Sequence, residues 1–240
     1  MRKYSSLLQS ATLASVLAAA TLAASASAGN ANDPDLLLSI NFEPRQVVKV
    51  ESGDFRFKPG QLAPIHTHPA PAIGYVTKGA IIVQAEGREP YLLNTGDVFY
   101  EPAGPRILRF DNASPHEEAS FIDFNLQQEG EPFIVFEKPP SEDIDRRALP
   151  ETTYDGVKID GVDIYSHTLQ PDGKQYLDLN QPMAGFVAEG AVELRGDGRG
   201  NRRIKAGEVF YRYKAGAGAV LVNTSSDVPA KVIVFNLHKS

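Results

Sequence analysis

Two histidines, His66 and His68, stand one residue apart in the stretch PGQLAPIHTHPAPAIGYVTKG, Pro59 to Gly79. A strand turns alternate side chains to the same face, so two imidazoles at this spacing can aim into one cavity and meet one metal ion. Neutral imidazole is the commonest protein ligand for metals. Two nitrogens do not complete a site. A structural zinc takes four protein ligands and a catalytic zinc three plus water. Non-heme iron takes two histidines and one carboxylate, with positions left open. Here a third ligand is available from Glu101, Asp111, His116 or Tyr100. Arg109 offers different chemistry, a planar fork that grips a carboxylate at two points.

These side chains need a scaffold of strands. Glu51 to Phe57, Ala63 to His68, Gly74 to Thr77 and Ala80 to Ala85 alternate or run apolar between Gly, Pro and Asn punctuation. Tyr91 to Leu93, Val98 to Tyr100, Ile107 to Phe110 and Ser120 to Leu126 continue the pattern. No helical period is sustained between Gly53 and Leu126. Many short strands with such punctuation argue an all-β sandwich or barrel. Glu101 follows a strand and precedes Pro102, which puts it at the barrel rim; Asp111 and His116 fall in a turn and read as surface. Arg109 shares parity with Ile107, so it either faces the cavity or lies as a surface arginine on an edge strand.

The framework around the histidines resembles the cupin superfamily. Gly60, His66, His68 and Gly79 fall where the first cupin motif has its glycines and its His-x-His pair. Gly96, Pro102, Gly104 and Asn112 fall likewise on the second motif. The resemblance implies a double-stranded β-helix, or jelly roll, and one divalent metal (Fe, Mn, Ni or Zn) held by the paired histidines, a glutamate and a last histidine. This chain departs at two of those four places: the glutamate position holds Ala72 and the last histidine position holds Ile107. The resemblance therefore implies either a metal with an atypical ligand set or no metal.

The unit occurs twice. Gly79 and Gly190 lie 111 residues apart, as do Gly87 and Gly198, Gly96 and Gly207, and Asn112 and Asn223. Phe124-Asn125-Leu126 returns as Phe235-Asn236-Leu237, and VFYE at Val98 returns as VFYR at Val209. A fixed offset with matched turn glycines means a duplicated unit, here two tandem cupin domains. The expected layout is a signal peptide at 1–28, an arm at 29–47, a first barrel at 48–137, a linker at 138–158 and a second barrel at 159–240. The linker carries proline and charge, with a short helix expected around Ile144 to Ala148. In the second unit His66 becomes Leu177, His68 becomes Leu179, Ala72 becomes Met183 and Ile107 becomes Gly218. Its pocket is either filled core or an apolar cavity lined by Leu177, Leu179, Met183, Phe186 and Val220.

Composition narrows the rest. Arg2 and Lys3, an Ala- and Leu-rich run and Ala26-Ser27-Ala28 form an export signal, with periplasm or medium as destination. The net charge is −6, and loss of residues 1–28 removes those two cations to leave −8. Such a surface argues against nucleic acid and anionic membrane as partners, and leaves a small-molecule ligand. The chain has no cysteine, so disulfides and thiol chemistry are excluded. Asn112 and Asn223 head glycosylation-type triplets but sit at turns, where their amides bond to nearby backbone. Three functions stay open: a partial site binding a small anion or a weakly held metal, a metal-dependent dioxygenase, isomerase or lyase, and a structural module. A monomer and a homo-oligomer are both compatible with the chain.

Overall fold

The computed structural model describes residues 34–177, 181–198, 200–212 and 218–240. The segment expected to be an export signal and Leu179 lie outside the described residues. Ten strands come first: β1 (Asp35–Phe57), β2 (His66–Thr67), β3 (Ala72–Lys78), β4 (Ala80–Ala85), β5 (Tyr91–Asn94), β6 (Val98–Glu101), β7 (Arg106–Asn112), β8 (Ala119–Gln127), β9 (Val135–Phe136) and β10 (Asp145–Ala148). Eight follow: β11 (Thr152–Leu169), β12 (Lys174–Tyr176), β13 (Met183–Glu189), β14 (Ala191–Arg195), β15 (Arg202–Lys205), β16 (Val209–Arg212), β17 (Val220–Asn223) and β18 (Ala230–Lys239). No helix occurs among the described residues.

The fold is all-β with cupin-type barrels. β3, β5 and β6 recur as β13, β15 and β16 with both ends displaced by 111 residues. One nine-stranded sheet runs through the molecule in the order β16-β13-β18-β11-β1-β8-β3-β6, with β10 added beside β1. A five-stranded sheet, β5-β4-β7-β2-β9, closes the first barrel, and a four-stranded one, β12-β17-β14-β15, closes the second. β1 joins the halves. Its first part pairs with β11, and Lys49 to Phe57 pair with β8.

Strand alternation sorts the apolar residues into three cores. Phe55, Phe57, Phe99, Phe110 and Phe121 fill the first barrel. Leu177, Met183, Val187, Phe210 and Val234 fill the second. Residues of opposite parity, among them Tyr75, Phe124, Phe186, Tyr211 and Phe235, meet between the barrels. The second barrel interior is apolar core, but two expected lining residues lie elsewhere. Phe186 is three positions from Met183, so it faces the seam against Tyr75, with ring centroids 5.3 Å apart. Val220 is half-exposed, and Leu221 takes the inward position.

The linker helix is absent. Asp145 to Ala148 pair antiparallel with Gly53 to Arg56 instead. An isolated helix of that length is marginal, whereas β1 offers a ladder and carboxylates. Arg146 Nη2 donates to Glu51 at 2.6 Å and Arg147 Nη2 to Asp54 at 2.9 Å. The turn asparagines behave alike in both barrels. Asn112 Nδ2 donates to Lys58 and Glu117 carbonyls, and Asn223 Nδ2 to Gln170 and Val228 carbonyls. Both are buried, which turns their side chains inward and away from any glycan.

Candidate metal centre in the first barrel

His66 ends up inward because β2 pairs with β7 on one side and β9 on the other. His68 follows directly, its carbonyl accepting from Gly104 N at 2.9 Å. Both rings are buried, 5.2 Å apart and nearly perpendicular. Each Nδ1 is tied to a backbone carbonyl, His66 to Pro64 at 2.8 Å and His68 to Phe133 at 3.1 Å. A carbonyl only accepts, so each Nδ1 carries the hydrogen and each Nε2 turns to the centre. The Asn125 amide lies 3.2 Å from the same His68 nitrogen. Since that nitrogen is a donor, the amide oxygen belongs on this side.

The carboxylate comes from the next strand. Ala72 on β3 is the Cα partner of Glu101 on β6. Neighbours paired in this way share a face, so Glu101 projects from beside the position that Ala72 vacates. It is buried, not at the rim. Its Oε2 lies 3.1 Å from His68 Nε2, and its Oε1 lies 3.9 Å from His66 Nε2. Oε1 has no hydrogen-bond partner among the described residues. His66, His68 and Glu101 each offer a ligand atom within 4.8 Å of the others. Two imidazole nitrogens and a carboxylate left short of a partner match the donors that first-row divalent ions take.

Around this trio lies a cavity of about 240 Å³. Phe55, Phe57, Phe110, Phe121, Phe133 and Phe136 wall it, and Asp123 and Arg146 also line it. Asp123 shares inward parity with Phe121 and Asn125. Burial pushes its carboxyl up to about 7, with Glu101 adding to the rise and His68 and Arg146 opposing it. Its Oδ1 also lacks a hydrogen-bond partner among the described residues. Burial lowers the His66 ring. Burial also acts to lower His68, but the Glu101 charge and hydrogen bond outweigh it and raise the ring to about 9. Without a metal, His68 and Glu101 therefore form a charged pair. Arg146 lies with its guanidinium carbon 4.0 Å from the centre of the Phe133 ring and 5.7 Å from that of Phe55. Gly53 makes this possible, since a Cβ there would stand 2.8 Å from Arg146 Nε.

Several expected partners lie elsewhere. Arg109 is not among the residues lining the cavity; its Nε donates to Asp111 at 2.8 Å. A β-bulge explains this. Gln84 pairs with Arg109 but Ala85 pairs with Ile107, so the extra residue resets the alternation and Phe110 takes the inward place. Asp111 is buried rather than surface, accepting from Ala63 N at 3.1 Å, and His116 is exposed. Tyr100 faces the seam core instead of the cavity. Asp123 and Arg146 were missed. Asp123 was readable from its spacing to Phe121, whereas Arg146 needed the linker to fold back.

Residues 53–125 match the family model described as Cupin domain. No curated protein matches the chain. Among solved structures it is similar to oxalate decarboxylase from Bacillus subtilis, at 16% identity and a TM-score of 0.59, over 86% of this chain and 75% of that one. Vicilin from Corylus avellana (hazelnut) gives 13% and 0.57, over 83% and 85%. A salicylate 1,2-dioxygenase from Pseudaminobacter salicylatoxidans gives 12% and 0.54, over 79% and 71%. At these identities the likeness is one of fold, and it extends over both barrels. Residues 53–125 thus match a cupin domain, and the fold of the whole chain is that of two cupin-type barrels.

Proposed function

We propose that the first barrel is a metal-dependent catalytic site for a small organic anion with an apolar body, working after export. The observation that carries this reading is Glu101. A buried carboxylate oxygen without a hydrogen bond, set beside two oriented imidazoles and an open cavity, is costly unless a cation completes it. His66, His68 and Glu101 would hold one divalent ion, which supplies Lewis acidity and open positions for the ligand. The chain's own groups do the rest. Arg146, over two rings at the cavity wall, receives the ligand's charge. The phenylalanine wall takes its apolar body and excludes water. Asp123, whose carboxyl is raised by burial in the metal-free chain, lines the cavity beside the ligand. The Mn(II) centres of B. subtilis oxalate decarboxylase show that a protein of similar fold accommodates such an ion.

Elemental analysis of the purified mature chain tests the reading. One equivalent of a first-row metal is expected in the native protein, with none in a His66→Ala, His68→Ala double variant. Equal trace metal in both would overturn it. The charged His68–Glu101 pair supports a second reading, metal-free binding of a small anion. Calorimetric titration with benzoate in the presence of EDTA separates the two: full affinity without metal favours the second.

A further inference from the structure

His66, His68 and Glu101 are buried, so whatever reaches them must pass the wall of their cavity. Much of that wall is strand held in ladders: Phe55 and Phe57 on β1, Phe110 on β7, Phe121 on β8. Pro140 also lines it and belongs to no strand. It lies in the segment that joins β9 to β10.

A second cavity, of about 270 Å³, is lined by residues 62–65 on one side and 137–142 on the other. Ala63 and Pro140 line both cavities, so the two spaces meet at this pair. The two sides of the junction are held unequally. Ala63 N donates to the buried Asp111 carboxylate at 3.1 Å, and β2 begins three residues further on. Pro140 has no amide hydrogen to donate. Residues 138–143 are all exposed, and one hydrogen bond ties them to the barrel among the described residues, from Gln61 Nε2 to the Asp143 carbonyl at 3.3 Å. Both ends of the segment are fixed. Glu137 N donates to the Ile65 carbonyl at 3.0 Å, and its Oε2 accepts from Arg106 Nη2 at 3.1 Å. Ile144 packs on the first-barrel core, and Asp145 to Ala148 pair with β1. An exposed stretch with so few bonds opens locally at far less cost than the barrel unfolds.

The geometry points to the outer cavity as the entrance to the metal centre, with Ala63 and Pro140 as its neck and residues 138–143 as the gate that widens it. This rests on the proposed function for what passes through, a divalent ion and a small organic anion, and it makes the two neck side chains determinants of ligand size. Lids of this kind admit a ligand and then shut out water.

The test uses metal-free protein in EDTA, so it reads the route whether or not the native chain carries metal. Diethyl pyrocarbonate acylates imidazole nitrogen, and peptide mass spectrometry follows His66 in the cavity against the exposed His116. The chain has no cysteine, so Ala63→Cys presents a single thiol, which Ellman's reagent caps with a thionitrobenzoate group. The cap should slow His66 acylation at least tenfold and leave His116 unchanged, and its release by a phosphine should restore the rate. The same cap on Leu92→Cys, an exposed position that lines neither cavity, should slow neither histidine. Pro140→Gly, which loosens the gate without filling the neck, should speed His66 acylation at least threefold, again with His116 unchanged. An unchanged His66 rate in the capped Ala63→Cys chain would overturn the route. An unchanged rate in Pro140→Gly, or no acylation of His66 even there, would overturn the gate.

Discussion

Glu101 and Ala72 show how one substitution can be answered across a ladder. The two residues are register partners, so a carboxylate moved from β3 to β6 reaches the same space from a neighbouring backbone. Glu101→Gln keeps the shape but removes the charge, and metal content should fall at least tenfold, on the scale of losing a ligand or its direct support. A sharper comparison follows from the register. Glu101→Ala should lose the metal, while Ala72→Glu combined with Glu101→Ala should recover it in part. Inductively coupled plasma mass spectrometry on the three proteins reads the result. No recovery would mean that position on the ladder does not set the site. Asp123 gives a prediction in pH. Its folded carboxyl titrates at about 7, above the ordinary aspartate value. The folded state of the metal-free chain therefore binds a proton more tightly than the unfolded state. That stabilisation is complete below about pH 4, the unfolded carboxyl's own range, and is lost as pH rises to about 7. His68, Glu101 and Arg146 are the charged groups that act on it. In EDTA, urea midpoints should fall between pH 5 and pH 8 in the native chain, and fall less in Asp123→Asn. Equal slopes would refute a buried neutral Asp123.

Elements decide which residues reach the cavity, and they explain what could be read in advance. The pairing of His66 and His68 was legible, because strand alternation is simple over two residues. Arg109 was not, because the bulge between Ile107 and Arg109 breaks the alternation and depends on β4 rather than on local sequence. Arg146 was hidden for a different reason. Its segment is polar and proline-rich, and only edge pairing with β1 makes it a strand. If β10 carries the anion-recognising arginine of the first barrel, Arg146→Met should keep the metal and weaken benzoate at least tenfold, because apolar packing survives but the charge does not. Calorimetry on the metal-loaded protein checks this; unchanged affinity would remove Arg146 from the ligand site. β3 sets a packing limit of its own. A Cβ on Gly74 would overlap the Phe99 ring and the Ile122 carbonyl oxygen, and Gly185 stands in the same relation to Phe210 and Ile233. Gly74→Ala should cost about 1–3 kcal/mol, the range for overpacking a filled core, seen as a lower urea midpoint at constant slope.

At the scale of the molecule, the 111-residue repeat announced two barrels, since matched turn glycines survive when pocket residues diverge. It did not announce how they join. The offset describes each unit alone, whereas the junction is a pairing of β1 with β11 over most of the length of β1. Residues of one parity thereby form a shared seam, in which Phe124 and Phe235 lie 4.8 Å apart between ring centroids and Tyr211 hydroxyl bonds Ser52 at 2.8 Å. Such a seam couples the stabilities of the two barrels, because neither can unfold without exposing the other's aromatic face. Phe186 is fully buried there against Tyr75 and Phe124. Phe186→Ala should cost about 3–5 kcal/mol, the usual range for a buried phenylalanine. The loss should appear in both barrels even though the substitution lies on a second-barrel strand. Hydrogen exchange followed by peptide mass spectrometry gives the opening free energy of each half. Equal losses in the slowest peptides of β8 and β18 are expected. A loss confined to β18 and its neighbours would mean that the barrels unfold separately and that the continuous sheet does not bind them into one cooperative unit.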